Sequence, residues 1–485
     1  MNVNPITRLD YPDPDVIRVE DTYYMVSTTM HFMPGCEILQ SFDLVHWEHV
    51  TYVYETLDHT DAQQLKSGQN IYGQGMWAAS LRYHEGRFCI CFVANDTRKT
   101  YLYTSEKIDG PWKKQLIEGF YHDGSLLFDE DGRNYIVYGN DEIWITELNE
   151  DLTAPKKDGL HRLLVSDHKN PELGYEGSHI QKINGYYYIF LVHSLRDRWM
   201  RTEACFYSDS LEGEFTGGDV LCDDRGYCGQ GVAQGGIVDT PDGKWYAMLF
   251  QDSGAVGRIP ILLPVTWKDH FPFFGQNGHV PEEIEVHSTR PGYIYQPLVG
   301  SDDFCNGLLP RWQFNHDPDP RYYHLDALQG TYTITTREVC TELTQAVNTL
   351  TQRMSYPSCA AEVTVDASAL KEGDVAGLCA LQSCYAAVGI TKHHGKYEVL
   401  MLDKKEDGIL DMTEGTVVES HQMDFRLEAD FCNMKDEARC YYRVNKGDWL
   451  PIGTVHKLYF KLDHFTGCRF GLFCYAAEET GGSAC

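Results

Sequence analysis

The clearest hydrophobic pattern in the chain is a hairpin signature in residues 175–194, where an apolar strand, a polar dipeptide and an aromatic strand follow one another. The dipeptide is Asn184-Gly185, which suits the positive backbone angles of a two-residue hairpin turn. The three tyrosines that follow it suit a pleated, half-buried surface. We therefore predict a β-hairpin over these residues.

The same signature occurs four more times, with turns at Asp21-Thr22, Glu85-Gly86, Asp131-Gly132 and Asp242-Gly243. A second recurring segment, rich in serine, acidic and aromatic residues, lies at 41–47, 105–112 and 208–215, and it predicts turns at the outer edge of a repeating unit. Repeats with several short strands each are typical of β-propellers. The pattern predicts a five-bladed propeller over residues 1–298.

One position repeats in all five units, eight residues before the first turn residue, and it holds Asp13, Trp77, Asp123, Glu176 and Gln234. Equivalent residues on the five innermost strands converge near the propeller axis. Clustered carboxylates repel one another, so three of them here favour chemistry or ion binding over stability. Trp77 could form a flat platform for a sugar, and the Gln234 amide could hydrogen-bond without adding charge. The alternative is that the carboxylates are turn residues and that Trp77 fills the core.

Three further residues are candidates for substrate binding. His31 and Phe32 lie in a loop of the first blade that could reach the central end, although a loop histidine is more often exposed to solvent. Arg290 lies in the segment that closes the propeller, where the alternative is a structural salt bridge. Asp15 competes with Asp13, but its offset breaks the eight-residue rule.

The pattern changes at about residue 301. Alternating segments such as 332–336 and 360–366 carry none of the repeat signatures. They predict an antiparallel β-sandwich over 301–485, so the whole chain is expected to be all-β.

Composition narrows the possible partners. The chain has 41 Lys plus Arg against 71 Asp plus Glu, a formal net charge of −30, which argues against nucleic acid or an anionic membrane as a partner. The 31 tyrosines fit sheet surfaces and also a groove that stacks on sugar rings. The sixteen cysteines are scattered, with Cys89 and Cys91 the closest pair, so we expect free thiols and no zinc. Without a secretion signal or an 18-residue apolar run, we expect a cytoplasmic protein.

Several motifs resemble those of glycoside hydrolase family 43: Tyr-Pro-Asp-Pro-Asp at 11–15, Met-Trp-Ala-Ala at 76–79, His122-Asp123, and Tyr-Glu-Gly-Ser-His at 175–179. Segments 348–353 and 372–378 resemble the concanavalin-like sandwich of the family's β-xylosidases. The resemblance implies hydrolysis with inversion, with Asp13 as general base, Glu176 as general acid and Asp123 orienting the acid. Inverting enzymes hold their two carboxyl groups about 6.5–9.5 Å apart.

The resemblance also extends to the pocket and its surroundings. Residues 462–467 resemble a family loop that lays an aromatic ring, here Phe465, over the pocket mouth, so the sandwich would help to close the site. The alternative places Phe465 in the sandwich core. Many family members hold a metal with a fifth-blade histidine, but Gln234 stands there, so we expect no required cofactor and at most a structural calcium ion.

We therefore expect an exo-acting inverting hydrolase that releases terminal xylose or arabinofuranose from xylan-derived oligosaccharides. The sequence leaves open whether it acts alone or as a homo-oligomer. β-Xylosidase activity is favoured, and α-L-arabinofuranosidase is the main alternative. An endo-arabinanase is disfavoured by the sandwich. A non-catalytic carbohydrate-binding propeller is disfavoured by the three carboxyl groups, which binding alone does not need.

Overall fold

The computed structural model describes residues 2–413 and 415–485. The regular secondary structure of the described residues is almost entirely β-strand, with four single-turn 3₁₀ helices at Lys66–Gly68, Gly254–Val256, Leu343–Gln345 and Cys432–Met434. Among them, no helix has the length and apolar character needed to cross a membrane. This confirms the predicted all-β fold class.

Five antiparallel four-stranded sheets form the N-terminal domain, and in each the strands follow chain order from the inside outward. Their innermost strands are neighbours in a closed ring, from blade 1 through blade 5 and back to blade 1. The strands of blades 1 to 5 in turn are Asp15–Val19, Thr22–Ser27, Gly35–Ser41 and Glu48–Tyr54; Met76–His84, Arg87–Ala94, Lys99–Ser105 and Lys113–Ile117; Ser125–Phe128, Asn134–Asn140, Glu142–Leu148 and His161–Ser166; Glu176–Ile183, Tyr186–Ser194, Arg201–Ser208 and Thr216–Leu221; and Val232–Asp239, Trp245–Asp252, Arg258–Lys268 and Phe271–Phe274.

The five predicted hairpins are confirmed, because a turn at each predicted place joins the first and second strands of one blade. In blade 1 the turn is Glu20-Asp21, one residue earlier than predicted, since Thr22 already pairs with Val19. The segments 41–47, 105–112 and 208–215 join the third strand to the outermost strand, as predicted for edge turns. The hydrophobic pattern was therefore sufficient to locate the blades.

The inner strands are irregular where they begin. The strand register shifts between Met76 and Ala79, between Glu176 and His179, and between Ala233 and Gly236. In blades 1 and 3, the residues just before the strands, Asp13 and Asp123, have φ values of 52° and 47°. Bulges and left-handed residues re-aim side chains, and here they turn the repeated position away from the alternation of a regular strand.

Asp15 fastens the blades together across the axis. Its Oδ2 accepts hydrogen bonds from Leu81 N (2.7 Å) and Arg82 Nη1 (2.7 Å), and its Oδ1 accepts one from His179 Nδ1 (3.1 Å). Although burial opposes it, Arg82 and His179 hold the pKa of Asp15 below its ordinary value. Asp15 is therefore a buried structural anion.

The C-terminal domain is a β-sandwich. One sheet has nine strands and the other four, with a small three-stranded sheet beside them, while a separate two-stranded sheet belongs to the propeller region. The nine-stranded sheet contains Phe32–Met33, Gln313–Asn315, Leu350–Arg353, Arg469–Ala476, Asp374–Leu381, Ala386–His393, Lys396–Lys404, Leu410–Met412 and Thr416–Val418; the four-stranded sheet contains Ser358–Asp366, Gln422–Asp430, Glu437–Arg443 and Leu450–Lys457; the three-stranded sheet contains Tyr323–Asp326, Thr331–Thr335 and Ser483–Ala484; and Asn2–Val3 pairs with Glu283–Ile284.

The two domains share structure. The Phe32–Met33 strand comes from the first blade, yet it pairs with Phe314 and Asn315 in the sandwich sheet. Asp10 Oδ1 accepts a hydrogen bond from Arg258 N (2.7 Å), and its Oδ2 accepts one from Gly467 N (2.8 Å). The sandwich is thus fixed directly against the propeller, next to Arg258.

Candidate active site

Three carboxyl groups from separate blades lie at one end of the propeller. Asp13 Oδ2 accepts a hydrogen bond from Thr28 Oγ1 (2.6 Å), and Asp123 Oδ2 accepts one from the N–H of Gly177 (3.1 Å), the residue after Glu176. Glu176 Oε2 accepts one from Asn140 Nδ2 (2.7 Å). Asp13 and Asp123 are buried, whereas the Glu176 side chain keeps 17% of its surface exposed.

A buried guanidinium group orients Asp13. Arg258 begins the third strand of blade 5, and its Nη1 lies 3.2 Å from Asp13 Oδ1. Charge-assisted hydrogen bonds are stronger than neutral ones, and Asp13 also receives the Thr28 hydroxyl. These two donors fix the carboxylate as an acceptor.

His122 faces the other two carboxyl groups. Its Nε2 lies 3.6 Å from Asp123 Oδ2 and 3.5 Å from Glu176 Oε2. The Asp123 charge, supported by Glu176 and Asp13, raises the pKa of His122 to about 9. Burial raises the pKa of Asp123 to about 6; the charges of Glu176 and Asp13 add to this, and His122 opposes it. Asp123 therefore keeps its proton to higher pH than an ordinary aspartate, next to Glu176.

Two aromatic rings border the carboxyl groups. The ring centroid of Trp77 lies 5.8 Å from that of His122 and 5.6 Å from that of Phe465. Phe465 comes from the sandwich, and the Arg258 guanidinium carbon lies 4.3 Å from its ring centroid. Arg258 Nη2 also donates to the Phe465 carbonyl (3.3 Å). A sandwich loop therefore reaches the residue that holds Asp13.

Gln234 packs beside Gly177, the residue that follows Glu176. Its backbone N–H donates to Glu203 Oε2 (2.7 Å), and its φ of 63° is left-handed. Gly177 also has positive φ (66°), and a Cβ there would lie 2.8 Å from Gln234 Cγ. The close contact explains why glycine follows Glu176.

The structure does not bring three of the predicted binding residues to this site. Phe32 is buried against the sandwich, with the Arg469 guanidinium carbon 3.4 Å from its ring centroid. His31 is fully buried beside it rather than facing the carboxyl groups. Arg290 pairs with Asp21 (2.7 Å) at the first hairpin turn, at the opposite end of the inner strand from Asp13. For Arg290, the geometry fits the alternative of a structural salt bridge.

Sequence reasoning missed His122, Asn140 and Arg258 as members of the site. His122 directly precedes Asp123, and Arg258 is a single basic residue ahead of an apolar strand. These local signals did not identify the site residues, because the carboxyl groups of Glu176 and Asp13 that they contact lie on other blades.

Converging acidic side chains on the axis of a five-bladed propeller, bordered by aromatic rings, define a glycosidase. The chain belongs to glycosyl hydrolase family 43: residues 3–272 match the model of that family, and residues 301–485 match the β-xylosidase C-terminal concanavalin A-like domain. Its substrate is therefore a carbohydrate.

The similarity to known proteins extends over most or all of the chain. A β-xylosidase of Formosa agariphila is 26% identical, covering 99% of this chain and 88% of that protein. A non-reducing end α-L-arabinofuranosidase of Bacteroides ovatus is 24% identical, covering 84% of this chain and 79% of that protein. A solved structure of a bifunctional GH43-CE protein of Bacteroides eggerthii is 42% identical, with a TM-score of 0.93. The match includes 100% of this chain and 62% of the Bacteroides eggerthii chain.

Proposed function

We propose that this protein is an exo-acting inverting β-xylosidase that releases terminal xylose from xylan-derived oligosaccharides. The observation that carries the proposal is the set of three carboxyl groups on blades 1, 3 and 4, with a sandwich ring, Phe465, beside the base-holding Arg258. The similarity to the β-xylosidase of Formosa agariphila favours xylose as the released sugar.

The surroundings of the carboxyl groups assign their roles. Asp13, held by Thr28 and Arg258, takes a proton from a water molecule, which attacks the anomeric carbon. Glu176 gives its proton to the glycosidic oxygen as that bond breaks. Because the water attacks the anomeric carbon from the opposite face in a single displacement, the released sugar has inverted configuration. Asp123 binds the N–H of Gly177 and so positions the acid.

The sandwich loop supports exo-action. Phe465 and Trp77 form one wall of the site, with ring centroids 5.6 Å apart. A wall beside the pocket for the terminal sugar leaves no room for an oligosaccharide to extend beyond that sugar. Such a closed end binds and orients the single terminal sugar of the substrate.

We propose that catalysis needs no metal. The Arg82 guanidinium of blade 2 reaches the inner strands of three other blades. It donates hydrogen bonds to Asp15 (2.7 Å), Leu126 O (2.9 Å) and Ile180 O (3.2 Å). A fixed cation at this point opposes binding of a calcium ion. We also propose cytoplasmic action on short imported oligosaccharides, as expected from the sequence.

The test is the release of nitrophenol from a β-xyloside against an α-L-arabinofuranoside. We expect the larger kcat/KM on the xyloside. A preference for the arabinofuranoside would support the second candidate, which the similarity to the Bacteroides ovatus α-L-arabinofuranosidase favours.

Stereochemistry tests the assignment of Asp13 as base. Proton NMR of the first sugar released should show the anomer opposite to that of the substrate. Retention would require a covalent intermediate and would contradict the role of Asp13.

A further inference from the structure

An exposed tryptophan stands on the blade-4 turn between the strands Tyr186–Ser194 and Arg201–Ser208. Trp199 is 43% exposed, so part of its indole is open to solvent. The turn is closed by hydrogen bonds from Leu195 N to Met200 O (3.1 Å) and from Met200 N to Ser194 Oγ (2.9 Å). Arg196 anchors it to Asp167 of blade 3. These contacts hold the turn in place.

Strand register places this turn at the same end of the propeller as the general acid. Glu176 pairs with Val192, and Ser194, two residues further along the strand, pairs with Arg201. At about 3.3 Å per residue, the turn begins about 7 Å beyond the level of Glu176. Trp199 therefore lies on the rim of blade 4, at the end of the propeller where Glu176 stands.

A row of buried contacts connects Trp199 to the base. The Arg201 guanidinium carbon lies 5.4 Å from the Trp199 ring centroid and 5.2 Å from that of Phe250. Arg258, which binds Asp13, also lies near the Phe250 ring, at 5.5 Å. Arg201 is itself fixed, because its Nε donates to Asp252 Oδ2 (2.9 Å). The indole thus rests on a rigid support within the wall of the active site.

The position of the acid decides which sugar could use this surface. Glu176 must contact the oxygen between the terminal sugar and the leaving group, so the leaving-group sugar lies beside Glu176. The Phe465 ring of the sandwich covers the side of the active site that Trp77 and Arg258 form. The rim of blade 4 remains for the leaving group, and an exposed indole suits the apolar face of a sugar.

We propose that Trp199 is the platform for the leaving-group sugar and that it sets the preference for oligosaccharides over substrates without a sugar leaving group. The assignment rests on the proposed function, since it needs Glu176 as the acid. It identifies a specificity-determining residue outside the three carboxyl groups.

The experiment compares Trp199→Ala and Trp199→Phe with the wild type on xylobiose and on β-xylosyl fluoride. Fluoride occupies no sugar-binding surface and needs little protonation. We expect Trp199→Ala to lower kcat/KM on xylobiose about tenfold, the upper range for one aromatic contact, and to change it less than about twofold on the fluoride. Trp199→Phe should recover part of the loss.

The matched control is Trp449→Ala, which removes a sandwich tryptophan that also stacks with an arginine, the Arg443 guanidinium carbon lying 4.3 Å from its ring centroid. We expect it to leave both rates unchanged. Equal losses on the two substrates, or an unchanged rate on xylobiose, would overturn the assignment of Trp199. Wild-type inactivity on both substrates would instead overturn the proposed xylosidase, and with it a platform for xylo-oligosaccharides.

Discussion

Asp13 and Glu176 differ in their surroundings, and the difference predicts how each tolerates substitution. Asp13 is buried against a guanidinium, whereas Glu176 is partly exposed and bound by an amide. We expect Asp13→Asn and Glu176→Gln each to lower kcat on xylobiose by about 10²–10⁴-fold, because each removes a proton-transfer partner. An activated aryl xyloside needs less protonation, so it should partly rescue Glu176→Gln but not Asp13→Asn. Steady-state kinetics on both substrates measure this.

Asp15→Asn is the matched control for Asp13→Asn. It removes the charge that pairs with Arg82, so thermal unfolding should show a loss of stability, about 3–5 kcal/mol for a broken buried pair. The folded fraction should keep its turnover.

If Asp13→Asn or Glu176→Gln kept more than about a tenth of the wild-type rate on xylobiose, the role assigned to that residue would be wrong.

His122 should set the pH range of activity. Its positive charge stabilises ionised Asp123, so its loss should move the pKa of Asp123 above the present value of about 6. We therefore expect His122→Phe to shift the alkaline limb of the kcat/KM profile to higher pH, because the site then holds its proton longer. A profile measured from pH 4 to 9 checks this, and an unmoved limb would exclude His122 from the proton balance.

At the scale of elements, local sequence predicted the hairpins and, through them, the acidic site residues. Asn184-Gly185 is a turn signal that needs no distant partner, and counting back from it reaches Glu176. Arg258 has no such signal, because its partner Asp13 lies 245 residues away in the chain. Arg290 was chosen in its place because both arginines lie in the closing segment and only the folded structure separates them. The sequence also did not show that Phe32 belongs to the sandwich sheet, because its partner Asn315 is distant in the chain.

The loop that carries Phe465 gives an element-scale prediction. Phe465 is only partly buried, and it contacts Arg258 and Trp77 instead of the sandwich core. We expect Phe465→Ala to lower kcat/KM on xylobiose with little change in Tm, since it removes mainly orientation of the substrate.

Phe473→Ala is the comparison for that variant, because Phe473 is 2% exposed within the sandwich core. It should cost about 3–5 kcal/mol of stability. A large drop in the Tm of Phe465→Ala with unchanged kinetics would mean that Phe465 acts as a core residue.

At the scale of the whole molecule, three buried histidines lie where the sandwich meets the first blade. The His31 ring centroid lies 5.0 Å from that of His316 and 5.8 Å from that of His464. Burial, with the neighbouring histidines and Arg469, lowers the pKa of His31 well below its ordinary value. Burial likewise lowers the pKa of His316, and it lowers that of His464 to about 3. All three are neutral in the folded protein.

These histidines should make the free energy of unfolding depend on pH. The unfolded chain binds their protons below its histidine pKa of about 6.5, whereas the folded protein does not, so their stabilising effect is complete above that pH and falls as the pH drops. Three protons give a slope of about 4 kcal/mol per pH unit once all are bound. Chemical denaturation between pH 7.5 and 5 measures the slope. His464→Phe should reduce it by about a third, and an unchanged slope would contradict the prediction.

The contacts of Arg258 with both Asp13 and Phe465 also fix when activity can first appear during synthesis. All three acidic side chains have been translated once the ribosome passes residue 176, yet the ring beside them lies at position 465 of 485. At about 5–20 residues per second, the propeller waits tens of seconds for the partner of its own active-site arginine. A nascent chain released before residue 465 would carry its acid and base but no complete pocket, so turnover should begin only after that residue has been translated.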